Sequence, residues 1–250
     1  SYWGLFNNQI IKYKNNLPNY NLNQIDRVIS EIKIFLQSNN NVACIIIEPI
    51  QCTNGDNYFH NSFFVKLREI CNNYDIPLIF DEIQTGFCVS GKKWYYQHLN
   101  IEPDILIFGK KTQLSGIMVK DKFSKIFTKP IRLEVTWDGD VVDMIRCKHI
   151  IKAIKEQKAI ENVNKMSKFF IEGLKNIKKI NNIRNSGLLI AFDVSNKNKQ
   201  LDFTNKIFKY GLLCNPTAQK TIRFRPNLLV NKNEISKALN IIETSAKKVL

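Results

Sequence analysis

The chain has 250 residues, of which 44% are hydrophobic and 24% charged, with a formal net charge of +15. That length suits one large domain or two modest ones around a sizeable core, and the composition excludes a collagen-like, disordered or disulfide-scaffold chain. No apolar run approaches the roughly 18 residues of a membrane span, and Ser1-Tyr2-Trp3-Gly4 opens without the basic-then-apolar pattern of a secretory signal. The six cysteines contain no Cys-x-x-Cys pair and the three histidines lie far apart, so reduced thiols in a cytoplasmic protein are expected and a metal site is not. The lysines are spread in short doublets such as Lys92-Lys93 and Lys247-Lys248, without a basic stripe interleaved with aromatics. A bias towards Ile, Lys and Asn accounts for the charge, and neither nucleic acid nor membrane is expected as a partner.

Up to Pro18 no clear period is visible. Leu22–Gln37 has apolar residues at helical spacing, namely Ile25, Val28, Ile29, Ile32 and Leu36. Val42–Glu48 is a β-branched run of the kind buried on both faces of a parallel sheet. Phe59–Asn73 predicts a helix, Ile76–Phe80 a second strand and Ile105–Phe108 a third, a β-α-β rhythm that implies a mostly parallel α/β sheet. Helices follow over Val141–Ala159 and Val163–Ile177. The texture then changes to a strand at Leu188–Val194, a helix near Leu201–Tyr210, short strands at Leu212–Cys214 and Thr221–Phe224, and a helix from Glu234.

Ligands of open parallel sheets gather outside the carboxyl ends of the strands. Three strand ends carry reactive groups: Glu48, Asp81 and Lys110. Each alone reads most simply as a surface charge or a cap. Together they offer a carboxylate able to hold a protonated ring nitrogen and a lysine able to form an imine, the pair that pyridoxal phosphate chemistry requires.

Five segments in order then carry a resemblance. They are Ile47-Glu48-Pro49-Ile50-Gln51, Leu78-Ile79-Phe80-Asp81-Glu82-Ile83-Gln84-Thr85-Gly86, Pro103-Asp104 through Gly109-Lys110-Lys111-Thr112-Gln113, Arg132 through Asp140, and Thr221-Ile222-Arg223-Phe224-Arg225-Pro226. From about Leu22 onward the chain resembles class III pyridoxal-phosphate-dependent aminotransferases. Within them it is most like the L-lysine 6-aminotransferase type, through Lys110-Lys111, Gly55-Asp56-Asn57 and the second arginine, Arg225. The resemblance implies fold type I, with residues 1–160 as the C-terminal portion of the large cofactor-binding domain and its connecting helix, and 161–250 as a small C-terminal α/β domain. It implies Lys110 as the Schiff-base lysine, with Lys111 as its competitor, and Asp81 as the partner of the pyridine nitrogen. Ile83 is implied against a ring face, Gln84 near the ring hydroxyl, and Thr136 at the cofactor phosphate of a partner subunit in a homodimer. Arg223 would bind a substrate carboxylate and Glu48 would mask it, so that L-lysine gives its 6-amino group and 2-oxoglutarate collects it. Another ω-amino-acid or ornithine-type aminotransferase, or a truncated non-catalytic remnant, are the alternatives.

Members of the family are longer, and their first part supplies a phosphate-binding loop, a stacking aromatic and another arginine. The segment is therefore expected to be inactive without such an N-terminal portion. Two departures stand out. The turn reads Asp138-Gly139-Asp140 where Gly-Gly-Asn is usual, and Arg184-Asn185-Ser186-Gly187 lacks one glycine.

Overall fold

The computed structural model describes residues 22–128, 130 and 139–250. Helix α1 (Leu22–Ser38) turns Ile25, Ile29 and Leu36 inward, as its period requires, and packs beside α2 (Asn61–Asn73), which buries Phe63, Phe64, Leu67, Ile70 and Cys71. His60 caps α2 by accepting the Ser62 amide at 3.3 Å, so the helix starts two residues later than Phe59. It ends where Asp75 takes a φ of +50° and the Ile76 amide returns to the Cys71 carbonyl at 3.0 Å.

Strands β1 (Ile45–Ile47), β4 (Leu78–Asp81) and β5 (Ile105–Phe108) are parallel neighbours, and β6 (Gly116–Val119) runs antiparallel to β5. Between β1 and β4 lies a small hairpin of β2 (Ile50–Gln51) and β3 (Asn57–Tyr58). The helices cover one face of the four-stranded sheet, where Ile45, Leu78, Phe80 and Leu106 are buried and Phe64 meets Phe80 edge-on at 5.5 Å. The opposite face carries Ile46, Ile79, Asp81, Ile105 and Ile107 only partly covered, and Ile46 remains 42% exposed. The expectation of burial on both faces is corrected here, because among the described residues only one helical layer packs on this sheet.

Asp104, from the Pro-Asp pair, ties α2 to the sheet. Its carboxylate accepts from Arg68 at 2.6 Å and from the Leu78 amide at 2.8 Å.

The second sheet has the order β7 (Asn181–Ser186), β8 (Leu189–Asp193), β10 (Thr221–Phe224) and β9 (Asn215–Thr217), all antiparallel. Around it pack α4 (Ala159–Lys175), α5 (Lys197–Lys209) and α6 (Lys232–Val249), with Phe170, Phe192, Phe203 and Phe224 in the shared core. That core also takes in Ile50, Cys52, Val89 and Tyr95 from the earlier part of the chain. The strand expected at Leu212–Cys214 lies later, at β9. Gly211, at φ +86°, turns the chain out of α5, Leu213 is 76% exposed, and Pro216 sits on an edge strand that needs no donor there.

The two departures from the family pattern find local reasons. Asp140 caps α3 (Val141–Glu156) by accepting the Asp143 amide at 2.9 Å, a duty that Asp and Asn perform equally. Gly187 is the glycine that packing demands, since a Cβ there would lie 2.3 Å from the Val89 carbonyl oxygen. Ser186 instead points a hydroxyl at the Ser90 carbonyl, 3.3 Å away.

Candidate active site

Parallel pairing of β1, β4 and β5 aligns their carboxyl ends, so Glu48, Asp81 and Lys110 emerge along one sheet edge. Glu48 is half-buried, and that burial raises its carboxyl pKa. The Cys52 amide and the charges of Lys110 and Arg223 oppose the rise, while Asp81 adds to it. These four side chains therefore share one electrostatic neighbourhood, three from the parallel sheet and Arg223 from β10.

Glu48 and Arg223 meet through the backbone of Cys52. Its amide donates to Glu48 Oε2 at 3.3 Å and its carbonyl accepts from Arg223 Nη1 at 2.8 Å. The arginine is thus engaged by the turn after β2, not by the acid directly. Asp81 closes a local turn at the end of β4 by accepting the Ile83 amide at 3.0 Å.

Lys110 stands on the abrupt reversal between β5 and β6, at φ +57°, with its carbonyl accepting the Gln113 amide at 2.9 Å. Gly109 just before it has no room for a side chain: a Cβ would lie 2.7 Å from Ser115 Oγ and 3.7 Å from Ile83 Cγ1. Ile83 is thereby placed beside the lysine turn. Lys110 is exposed; Lys111 donates to the Gln84 carbonyl at 2.6 Å. Burial depresses the Lys111 ammonium to about 8, with Arg225 and Lys110 lowering it further and Glu82 opposing. Gln84 itself reaches Thr53 Oγ1 at 3.4 Å. Thr136 lies outside the described residues.

An amine, a carboxylate and an aliphatic side chain at one strand edge suit pyridoxal phosphate, whose aldehyde, ring nitrogen and ring face need these in turn. Lys110, Asp81 and Ile83 are the residues here that could hold it.

Sequence reasoning gave Glu82 no role. It is fully buried, accepts the Tyr95 and Tyr96 amides and the Thr85 hydroxyl, and so organises the loop after the Asp81 turn. The signal available was a second acid directly after Asp81, followed by the apolar Ile83. Burial pushes its carboxyl up to about 7, against the pull of those donors and of Lys111. A raised folded value means that the folded protein keeps a proton the unfolded chain releases above 4.5. Its contribution is full below that pH and is lost as pH climbs through about 7. Denaturant titrations at acid and at neutral pH should show this loss in the wild type and not in Glu82→Gln. Glu82→Ala should cost about 1–3 kcal/mol for each amide left without an acceptor.

Comparison with known proteins gives the family. The family model for aminotransferase class III matches residues 1–245. The L-lysine-epsilon aminotransferase of Mycobacterium bovis is 33% identical over 213 residues, covering 82% of this chain and 47% of that protein. A 4-aminobutyrate aminotransferase of Dictyostelium discoideum is 31% identical over 232 residues, covering 90% of this chain and 46% of that protein. Among solved structures, lysine aminotransferase from M. tuberculosis in the internal aldimine form superposes with a TM-score of 0.88 at 29% identity, over 93% of this chain and 57% of that one. The chain spans about half the length of the curated relatives it matches.

Proposed function

We propose that this chain, which belongs to the class III aminotransferase family and has the α/β fold type I of pyridoxal-phosphate enzymes, carries the lysine- and aspartate-bearing part of an enzyme that moves the 6-amino group of L-lysine to 2-oxoglutarate. The observation that carries the reading is the alignment of Glu48, Asp81 and Lys110 at three adjacent strand ends, with Arg223 reaching the same place from β10. Pyridoxal phosphate, the cofactor of the family, supplies an electron-withdrawing ring to which the amino group is joined.

The side chains of this chain do the rest. Lys110 attaches the cofactor and, as a neutral amine, carries the proton between the two carbons concerned. Asp81 keeps the ring nitrogen protonated, Ile83 lies against a ring face, and Gln84 serves the ring hydroxyl. Thr136 completes the phosphate site of a partner subunit in a homodimer. Arg223, a planar fork, anchors a substrate carboxylate. Glu48 governs whether that anchor is available. All six cysteines are free, in keeping with a cytoplasmic enzyme.

Lysine as donor is supported by the Gly55-Asp56-Asn57 and Arg223-Phe224-Arg225 segments and by the lysine aminotransferases among the relatives. The 4-aminobutyrate relative favours a second reading, a different ω-amino donor. Single-turnover rates of the full-length, cofactor-loaded protein with lysine, ornithine and 4-aminobutyrate separate the two. A preference for either of the latter overturns the lysine assignment and leaves the transaminase standing.

Glu48→Ala should remove the acid that reaches Arg223 through Cys52 and weaken discrimination against glutamate as donor. The loss should be on the order of one hydrogen bond to a charged group, about 1–3 kcal/mol. The ratio of lysine to glutamate single-turnover rates reads it, and an unchanged ratio defeats the gating role.

A further inference from the structure

β10 directs two arginines at the turn Cys52–Asp56, and they find different partners. Arg223 takes the Cys52 carbonyl at 2.8 Å. Arg225, two residues on, takes Asp56 Oδ1 in an ion pair. Asp56 is fully buried and sits at φ +50°, next to Gly55 at φ +106°. Gly55 adopts its positive φ freely, but at Asp56, a non-glycine residue, the surroundings must hold the conformation.

Its surroundings come largely from the second sheet. Arg184 donates to the Gly55 carbonyl and, at 2.9 Å, to the Asp56 carbonyl, while itself pairing with Asp193 at 3.0 Å. The Thr217 hydroxyl donates to the Thr53 carbonyl. The Asp56 amide closes the turn on the Cys52 carbonyl at 3.2 Å, the same oxygen that receives Arg223.

The pair is not a fully satisfied network. Asp56 Oδ2 and the Nε atoms of Arg223 and Arg225 are buried without a hydrogen-bond partner among the described residues. Buried ion pairs that leave polar atoms unmet contribute little net stability, and removing one partner is costly. Position is what this one provides. Any shift of Asp56 moves the Cys52 carbonyl that Arg223 holds and the Cys52 amide that Glu48 holds.

We propose that Asp56 and Arg225 are positioning residues for the substrate-carboxylate site: their pairing fixes Cys52 between Glu48 and Arg223. The inference rests on the reading of Arg223 as the carboxylate anchor. It makes the turn sequence Gly55-Asp56 and the second arginine one device, although 168 residues of chain separate Asp56 from Arg225.

The test is calorimetric titration of glutarate, a dicarboxylate that cannot be transaminated, into the full-length, cofactor-loaded protein. Asp56→Asn should weaken glutarate binding about tenfold, with cofactor affinity and absorbance unchanged. Arg225→Lys, which keeps the charge and loses the fork, should weaken it about threefold. A purely structural role would lower the melting temperature and leave the glutarate affinity of the folded protein as it was. Unchanged affinity in the variants overturns the proposal; should Asp56→Asn fail to fold, Arg225→Lys decides alone. If the wild type does not bind glutarate, or Arg223→Gln binds it equally well, the carboxylate-anchor reading falls first and this inference with it.

Discussion

Lys110→Ala in the full-length, cofactor-loaded protein should abolish transamination, by about 10⁴-fold, because in the proposed mechanism the same side chain attaches the cofactor and carries the proton. Borohydride reduction followed by peptide mapping should find the cofactor mass on Lys110 in the wild type and nowhere in the variant. Lys111 is the rival, and its amine has a lowered pKa of about 8, a property that imine-forming lysines share. We favour Lys110 on position. Lys111 Nζ is engaged by the Gln84 carbonyl at 2.6 Å, whereas Lys110 is exposed directly after Gly109 and its charge acts on Glu48. Lys111→Ala should keep the adduct and lose activity only modestly, since it frees one backbone carbonyl in the Asp81–Gln84 turn. Cofactor found on Lys111 in the wild type overturns the assignment.

The parts of the fold that were legible are those where one periodicity rules. Ile25, Ile29 and Leu36 declare α1, and Ile105–Phe108 and Thr221–Phe224 are strands whose bounds the structure reproduces. What escaped was settled by pairing over distance. β6 is polar-flanked and short, and it exists because the Lys110–Gln113 turn folds it back on β5. β7 reads Asn-Asn-Ile-Arg-Asn-Ser, with no strand-like period, and it is held by its ladder to β8. The one-sided cover of Ile46 is equally invisible in sequence, because a β-branched run says that both faces want burial and not what lies on each.

At the site, position after a strand was enough to single out Glu48, Asp81 and Lys110, because parallel topology converts strand ends into neighbours. The connections between them were not legible. Nothing in Gln51-Cys52-Thr53 announces that the backbone of Cys52 lies between an acid four residues earlier and an arginine at position 223. Backbone donors carry no sequence signature. Asp56 and Arg225 each stood out as marks of one branch of the family, but their pairing needed coordinates.

Asp81→Asn is the sharper probe of chemistry because the substitution leaves the local structure its hydrogen bond. The asparagine carbonyl can still accept the Ile83 amide that Asp81 Oδ1 takes at 3.0 Å, so the end of β4 and the placement of Ile83 should survive. What would go is the negative charge proposed to stand beside the ring nitrogen. Without that charge the site would no longer hold the ring nitrogen protonated, and the electron-withdrawing power the cofactor supplies would fall. Turnover should fall roughly 10³-fold, about 4 kcal/mol of transition-state stabilisation, while cofactor affinity changes less than about tenfold. Stopped-flow half-reactions with lysine and equilibrium cofactor titration measure the two separately. Near-normal turnover in Asp81→Asn would reduce Asp81 to the cap of a strand-end turn and remove the central acid from the proposed site.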